Sequence, residues 1–214
     1  KGSISTSPFT LVDYNRSGIT LIEIVTEPVI TSPEEAREFL NQLKSIVQYT
    51  GISDLDLEGS CRVDANVSLK GHPRSEVKNI SSFKEVERAL KWEIQRHRNL
   101  LKRDKELIQE TRHWDDKRRV TISLRTKEFE KDYRYFPEQD LVPIEIDDEY
   151  VEQVEENLPE MPNARARRLQ EGYDLSEFDA ELLVIDKKIA DFFEEGVSQE
   201  PSFGADEYKL YCNW

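Results

Sequence analysis

The chain has 214 residues, enough for one large domain or one domain with part of a second. Acidic side chains outnumber basic ones 44 to 30, and the net charge of −14 argues against polyanion binding by the surface as a whole, so any nucleic-acid contact must come from a local basic patch. Cys61 and Cys212 make neither a disulfide framework nor a zinc site, His72, His97 and His113 lack metal-ligand spacing, and there is neither a signal-peptide pattern nor an apolar run near about 18 residues; a reducing, cytoplasmic setting without a membrane is expected.

Phe9 to Tyr14 predicts a short strand and Asn15-Arg16-Ser17-Gly18 a turn. Residues 21–28, LIEIVTEP, predict a second strand, β-branched and ended by Pro28, with Glu23, Val25 and Glu27 on one face. Glu23 there either faces water or is paired or liganded, because burying a lone carboxylate is costly. Ser32-Pro33-Glu34-Glu35 combines a cap, a first-turn proline and a capping box. The stripe Phe39, Leu40, Leu43, Ile46 and Val47 then predicts a helix over 33–49, stopped by Gly51.

The middle of the chain, residues 55–79, reads at period two. Cys61, Val63, Ala65, Val67 and Leu69 fall on one side, and Arg62, Asp64, Asn66, Ser68 and Lys70 on the other. Gly71-His72-Pro73-Arg74 is a turn, and residues 76–78 predict a return strand with Glu76 and Lys78 on a common face. Upstream, Glu58 adds one more carboxylate. If the strands pair, one sheet face gathers Arg62, Asp64, Asn66, Glu76 and Lys78. Pattern alone leaves two readings, a solvated face with cross-strand ion pairs or a cleft floor that holds a cation and a phosphate.

Ser82 and Glu85 predict the start of a second helix, whose stripe is Phe83, Val86, Leu90, Ile94, His97 and Leu101. His97 reads as a core-edge histidine rather than a ligand. Glu85, Glu87 and Glu93 read as ordinary helical pairing partners, and residues 96–105 as a basic surface. Residues 107–112 and 120–125 predict a hairpin, with Val120, Ile122 and Leu124 on one side and Thr121, Ser123 and Arg125 on the other. Tyr133 and Tyr135 alternate with Asp132, Arg134 and Phe136, either to stack bases or to cover a sheet edge. A strand is expected over 140–146, an acidic helix over 147–157, and a linker over 158–162. Short helices follow near 165–169, 177–183 and 186–195, with Phe178, Leu182, Leu183, Ile185, Ile189, Phe192 and Phe193 as their core.

Six blocks in order are similar to one family. DYNRSG, LIEIVTEP, GSCRVDANVSL, EVKNISSF, QETR and DYRYFPEQDL resemble the B-subunit family of tRNA-dependent amidotransferases, GatB, related to archaeal GatE. The ordered series spans residues 10 to about 160, and the helical remainder is similar as well; any single block would be a weak signal. The resemblance implies an α+β fold: an antiparallel-sheet cradle resembling glutamine synthetase over 1–160, then the start of an all-α helical domain over 161–214. It implies ATP- and Mg²⁺-dependent phosphorylation of the side-chain carboxylate of Glu-tRNA(Gln), and in many organisms Asp-tRNA(Asn). Ammonia from the glutaminase A subunit then displaces the phosphate, and a C subunit completes a heterotrimer. On this pattern Glu23, Glu76 and Asp64 are the expected metal contacts. Asp64 and Glu58 are the expected catalytic carboxylates, and Arg62, Lys78 and Asn66 the expected phosphate contacts. The family's N-terminal Gly-Leu-Glu-x-His block and its tail domain are not in this sequence, so the piece alone is expected neither to transamidate nor to hold tRNA tightly. The competing reading is a non-catalytic RNA-binding or assembly module, whose important surfaces would be the basic stretches 96–105 and 165–168.

Overall fold

A computed structural model describes residues 11–15, 17–55, 57, 59–126, 139–200 and 202–213. Glu58, Arg16 and the Tyr133–Tyr135 segment lie outside the described residues. The chain forms two units, Lys1–Ile30 and Thr31–Trp214.

In the first unit, the turn expected after Tyr14 is closed by Ser17 N–H donating to Tyr14 O at 2.9 Å, with Asp13 Oδ1 accepting from Asn15 N–H at 2.9 Å. Neither expected strand forms among its described residues. Leu21, Ile22 and Val25 are exposed. A β-branched run becomes a strand only where a second edge completes its ladder, and residues 21–28 find no such edge among the described residues.

The second unit is α+β: four strands and seven helices among the described residues. Helix α1 (Pro33–Thr50) starts as its sequence dictates. Ser32 Oγ accepts from Glu35 N–H, the Glu35 carboxylate reaches back to Thr31 N–H at 2.7 Å, and Gly51 at φ 69° closes the end. Strands β1 (Val63–Val67), β2 (Ser75–Ile80), β3 (Glu110–Asp115) and β4 (Val120–Thr126) form one sheet in the order β1-β2-β3-β4. Both expected hairpins are antiparallel. The central pair, β2 with β3, is parallel, because α2 (Phe83–Leu101) carries the chain back to the same end of the sheet. The sheet is therefore mixed.

Two bulges break strict alternation. In β2 the extra residue lies at Asn79, whose φ of 60° is a left-handed conformation that asparagine tolerates. In β4 it is Leu124: Thr111 pairs with Arg125, but Arg112 pairs with Ser123. Strict alternation along β4 therefore ends after Ser123. β3 also begins three residues later than the expected strand start, with Leu107 buried just before it.

Val77, Trp114, Val86, Ala89 and Leu90 fill the layer between the sheet and α2. Helix α1 packs against α2 and also reaches the later helices, where Tyr49 joins Ala166, Leu169, Leu183 and Phe193 in a second core and Ser45 Oγ donates to Ile185 O at 2.9 Å. Those helices are α4 (Pro162–Tyr173), α5 (Glu177–Val184), α6 (Lys187–Gln199) and α7 (Ala205–Cys212), the last not foreseen. Of the expected core, Leu183 and Phe193 are buried in that second core, but Phe178, Leu182, Ile185, Ile189 and Phe192 are exposed. The acidic helix is α3 (Asp148–Glu156). Residues 140–146 form no strand and their apolar side chains are exposed.

Candidate functional site

β1 and β2 bring the alternating charges together. Their ladder sets Asn66 opposite Glu76 and Ala65 opposite Val77, so Asp64 lies beside Lys78. The Lys78 ammonium bridges two carboxylates, Asp64 Oδ2 at 3.1 Å and Glu76 Oε1 at 3.0 Å. Hydrogen bonding to Glu76 raises the Lys78 pKa; burial opposes it, and the hydrogen bond to Asp64 adds to the rise, so the net shift is upward. Arg62 closes the row from Asp64's other side at 3.3 Å, with its side chain 66% exposed. Arg62, Asp64, Asn66, Glu76 and Lys78 thus occupy one face, as the period-two reading expected. Glu23 belongs to the first unit and is exposed there, and Glu58 is outside the described residues.

The parallel β2/β3 pair extends this face with two residues that the sequence reading passed over. Thr111 lies opposite Glu76 and His113 opposite Lys78. Thr111, 2% exposed, donates its hydroxyl to Glu76 Oε2 at 2.9 Å. His113 Nδ1 lies 2.9 Å from Asn79 Nδ2, at the bulge. On β4 the face continues with exposed Ile122 and Leu124. The apolar side of this strand therefore faces out, while Thr121 is buried.

The reason lies on the opposite face, against α2. Glu93 is fully buried. Its Oε1 accepts from Arg96 Nε at 2.9 Å and lies 3.2 Å from His97 Nε2, and its Oε2 accepts from Thr121 Oγ1 at 2.7 Å. Burial pushes the Glu93 pKa up, but the hydrogen bonds from His97, Arg96 and Thr121 outweigh it and hold the carboxyl well below the usual carboxylate range. Glu110 is the second buried carboxylate, bound by Arg96 at 3.0 Å, by Arg112 Nη1 at 2.8 Å and by Ser123 Oγ at 2.7 Å. Arg112 also donates to Thr121 Oγ1 and Thr121 O, each at 2.8 Å. Two carboxylates and two guanidiniums thus share a satisfied network. Glu93 is no ordinary surface pairing partner, and Arg96 belongs to this network rather than to a basic patch. Buried His97 has Nε2 2.9 Å from Ser75 Oγ. The Ser75–His97–Glu93 group is no nucleophilic triad: both partners meet Nε2, Nδ1 has no hydrogen-bond partner among the described residues, and all three side chains are sealed from solvent. Glu85 donates its N–H to the Ser82 cap at 3.3 Å, and its carboxylate takes Trp114 Nε1–H at 2.9 Å.

A family model described as the GatB/GatE catalytic domain matches residues 2–152. The chain belongs to this family. Curated relatives agree. It is 53% identical over 194 residues to the B subunit of the aspartyl/glutamyl-tRNA(Asn/Gln) amidotransferase of Sulfolobus acidocaldarius, covering 91% of this chain and 41% of that protein. Identity to the protein of the same name from Methanococcoides burtonii is 55% over 193 residues, covering 90% of this chain and 41% of that protein. For the Carboxydothermus hydrogenoformans protein it is 47% over 221 residues, covering all of this chain and 45% of that protein. The chain therefore spans less than half the length of these relatives.

In this GatB/GatE domain the donor chemistry of the open face fits a hard divalent cation. Mg²⁺ takes one or two protein carboxylates and completes its shell with water and phosphate oxygens. Asp64 and Glu76 already converge on a single positive group, the Lys78 ammonium. Among the described residues no group of three His, Cys, Asp or Glu side chains is placed to hold a metal ion, so this face offers two carboxylates, Asp64 and Glu76. The basic stretch 165–168 is largely neutralised. Arg165 is buried, pairs with Asp191 at 2.7 Å and Glu194 at 2.5 Å, and lies over the Tyr49 ring, while Arg168 pairs with Glu160 and Glu194. No helix among the described residues is long and apolar enough to cross a membrane.

Proposed function

We propose that this chain is the catalytic part of an amidotransferase B subunit that uses ATP to phosphorylate the side-chain carboxylate of Glu-tRNA(Gln) or Asp-tRNA(Asn). On this reading it works in the cytoplasm as a ligase, with a cradle domain over 1–160 and a helical domain from 161. The observation that supports it most is the Asp64–Lys78–Glu76 bridge on an open sheet face, in a chain of this family.

The substrate carboxylate attacks the γ-phosphorus of ATP, ADP leaves, and an acyl phosphate forms. Ammonia released from glutamine by the A subunit then attacks the acyl carbon; phosphate departs and the nitrogen loses a proton, leaving the amide. Such transfers need positioning and charge neutralisation more than covalent help from protein. When bound, Mg²⁺ supplies neutralisation of the phosphate oxygens. Asp64 and Glu76 would hold it, with Glu23 and Glu58 as further carboxylate candidates. Lys78 and Arg62 would meet phosphate oxygens, Arg62 through a planar fork and Lys78 as a point charge. Asn66 would orient either group. The A subunit and a C subunit complete the assembly on this reading.

The test uses the full-length protein assembled with its partners. Glu76→Gln should abolish transfer of label from γ-labelled ATP to Glu-tRNA(Gln) while glutamine hydrolysis by the A subunit stays measurable. Label transfer at the wild-type rate would refute the assignment. The RNA-binding alternative loses support from the ion-paired Arg165 and Arg168.

A further inference from the structure

The Glu76 carboxylate is held on both oxygens, Oε1 by Lys78 at 3.0 Å and Oε2 by Thr111 at 2.9 Å. The two donors differ in kind. Lys78 reaches Glu76 from two residues along β2 on a flexible stem, and any cation bound there would compete with its charge. Thr111 is uncharged, 2% exposed and β-branched, so its hydroxyl sits on a stiff χ1 and stays in place when the cation arrives.

The backbone around Thr111 is fixed from behind. Its neighbours Glu110 and Arg112 are both tied into the buried network, Glu110 to Arg96 and Ser123, Arg112 to Thr121. Across the parallel ladder, Glu76 is flanked by Ser75 and Val77, each 0% exposed, with Ser75 bonded to His97 and Arg96. The two strands are therefore locked on one face while they present Thr111 to Glu76 on the other.

We propose that Thr111 is a positioning residue: its hydroxyl fixes the rotation of the Glu76 carboxylate, and this orientation sets the affinity for the divalent cation. The inference rests on the functional reading above. Outer-shell donors to ligating groups typically change metal affinity by about 10- to 100-fold. In the full-length protein, Thr111→Val keeps shape but removes the donor, and Thr111→Ser keeps the donor.

Mn²⁺ alone is titrated and followed by electron paramagnetic resonance, and label transfer is measured against Mg²⁺ concentration. Thr111→Val should weaken Mn²⁺ binding about 10- to 100-fold. It should raise the half-saturating Mg²⁺ in parallel, with much of the rate recovered at saturating Mg²⁺; Thr111→Ser should stay close to wild type in both. Wild-type Mn²⁺ binding by Thr111→Val, with binding lost in Glu76→Gln, overturns the inference and leaves the functional reading standing. Equal losses in the Ser and Val variants overturn it too, since the hydroxyl would not be what matters. Mn²⁺ binding and label transfer both unchanged in Glu76→Gln overturn the functional reading and this inference together.

Discussion

The two faces of the sheet carry almost the same chemistry and do opposite things with it. Each has two carboxylates and two cations: Asp64, Glu76, Lys78 and Arg62 in front, Glu93, Glu110, Arg96 and Arg112 behind. Behind, the carboxylates are buried and held by several donors each, with Thr121, Ser123 and Ser75 filling in. In front, the charges stay partly in water, where exchange of one cation for another is cheap. Burial is what separates them. A desolvated ion must be fully satisfied or it destabilises the fold, whereas a half-solvated ion can give up one partner and accept a ligand.

That contrast can be broken most sharply at Glu93. Glu93→Ala leaves Arg96 and Arg112 short of a buried counter-charge and should cost about 3–5 kcal/mol of unfolding free energy in urea. A loss under about 1 kcal/mol would mean that the rear network is no more demanding than surface pairs. Glu76→Gln should show the reverse pattern: label transfer should fall by two orders of magnitude or more, about the size of losing one electrostatic contact to a transition state, with little change in urea midpoint. Acid should separate the faces next. The Glu93 carboxyl has a folded pKa below its unfolded one, so its contribution is present above the ordinary carboxylate value near about 4.3 and is lost as pH falls through the folded value. The stability gap between wild type and Glu93→Gln should therefore narrow below about pH 4 and stay level from there to neutrality; a gap that widens in acid would contradict the sign. The smallest effect is expected at Arg62, whose side chain is 66% exposed. Arg62→Ala should change stability by no more than about 0.5 kcal/mol while lowering label transfer, and a large stability loss would move Arg62 from the open face into the scaffold.

Much of the front face was legible because its rules are short-range. Period-two alternation needs only the pleat, and the Gly71-His72-Pro73-Arg74 turn brings the two strands together, so Asp64, Asn66, Glu76 and Lys78 could be grouped from residues 61–78 alone. Thr111 was not legible. It lies 35 residues from Glu76 in the chain, and nothing local announces a parallel pairing. β4 shows the same limit in another form. Its alternation separates an apolar from a polar side, but which side is buried depends on Glu93, by sequence one glutamate among several on α2.

By itself the sequence determined the starts and faces of α1 and α2, the β1–β2 hairpin with its row of charges, and, through six ordered blocks, the family. These follow from contacts within a few residues, such as the Ser32 and Ser82 caps, or from pattern along one strand. Tertiary structure alone decided the parallel β2/β3 pairing, the buried network at Glu93 and Glu110, and the contact of Thr111 with Glu76. It also decided that residues 21–28 and 140–146, strand-like in composition, form no strand. The physical reason is common to all of these. A strand ladder, a desolvated ion and a cross-strand hydrogen bond each need a partner from a distant part of the chain, and a linear pattern names the residue that needs a partner without naming the one that supplies it.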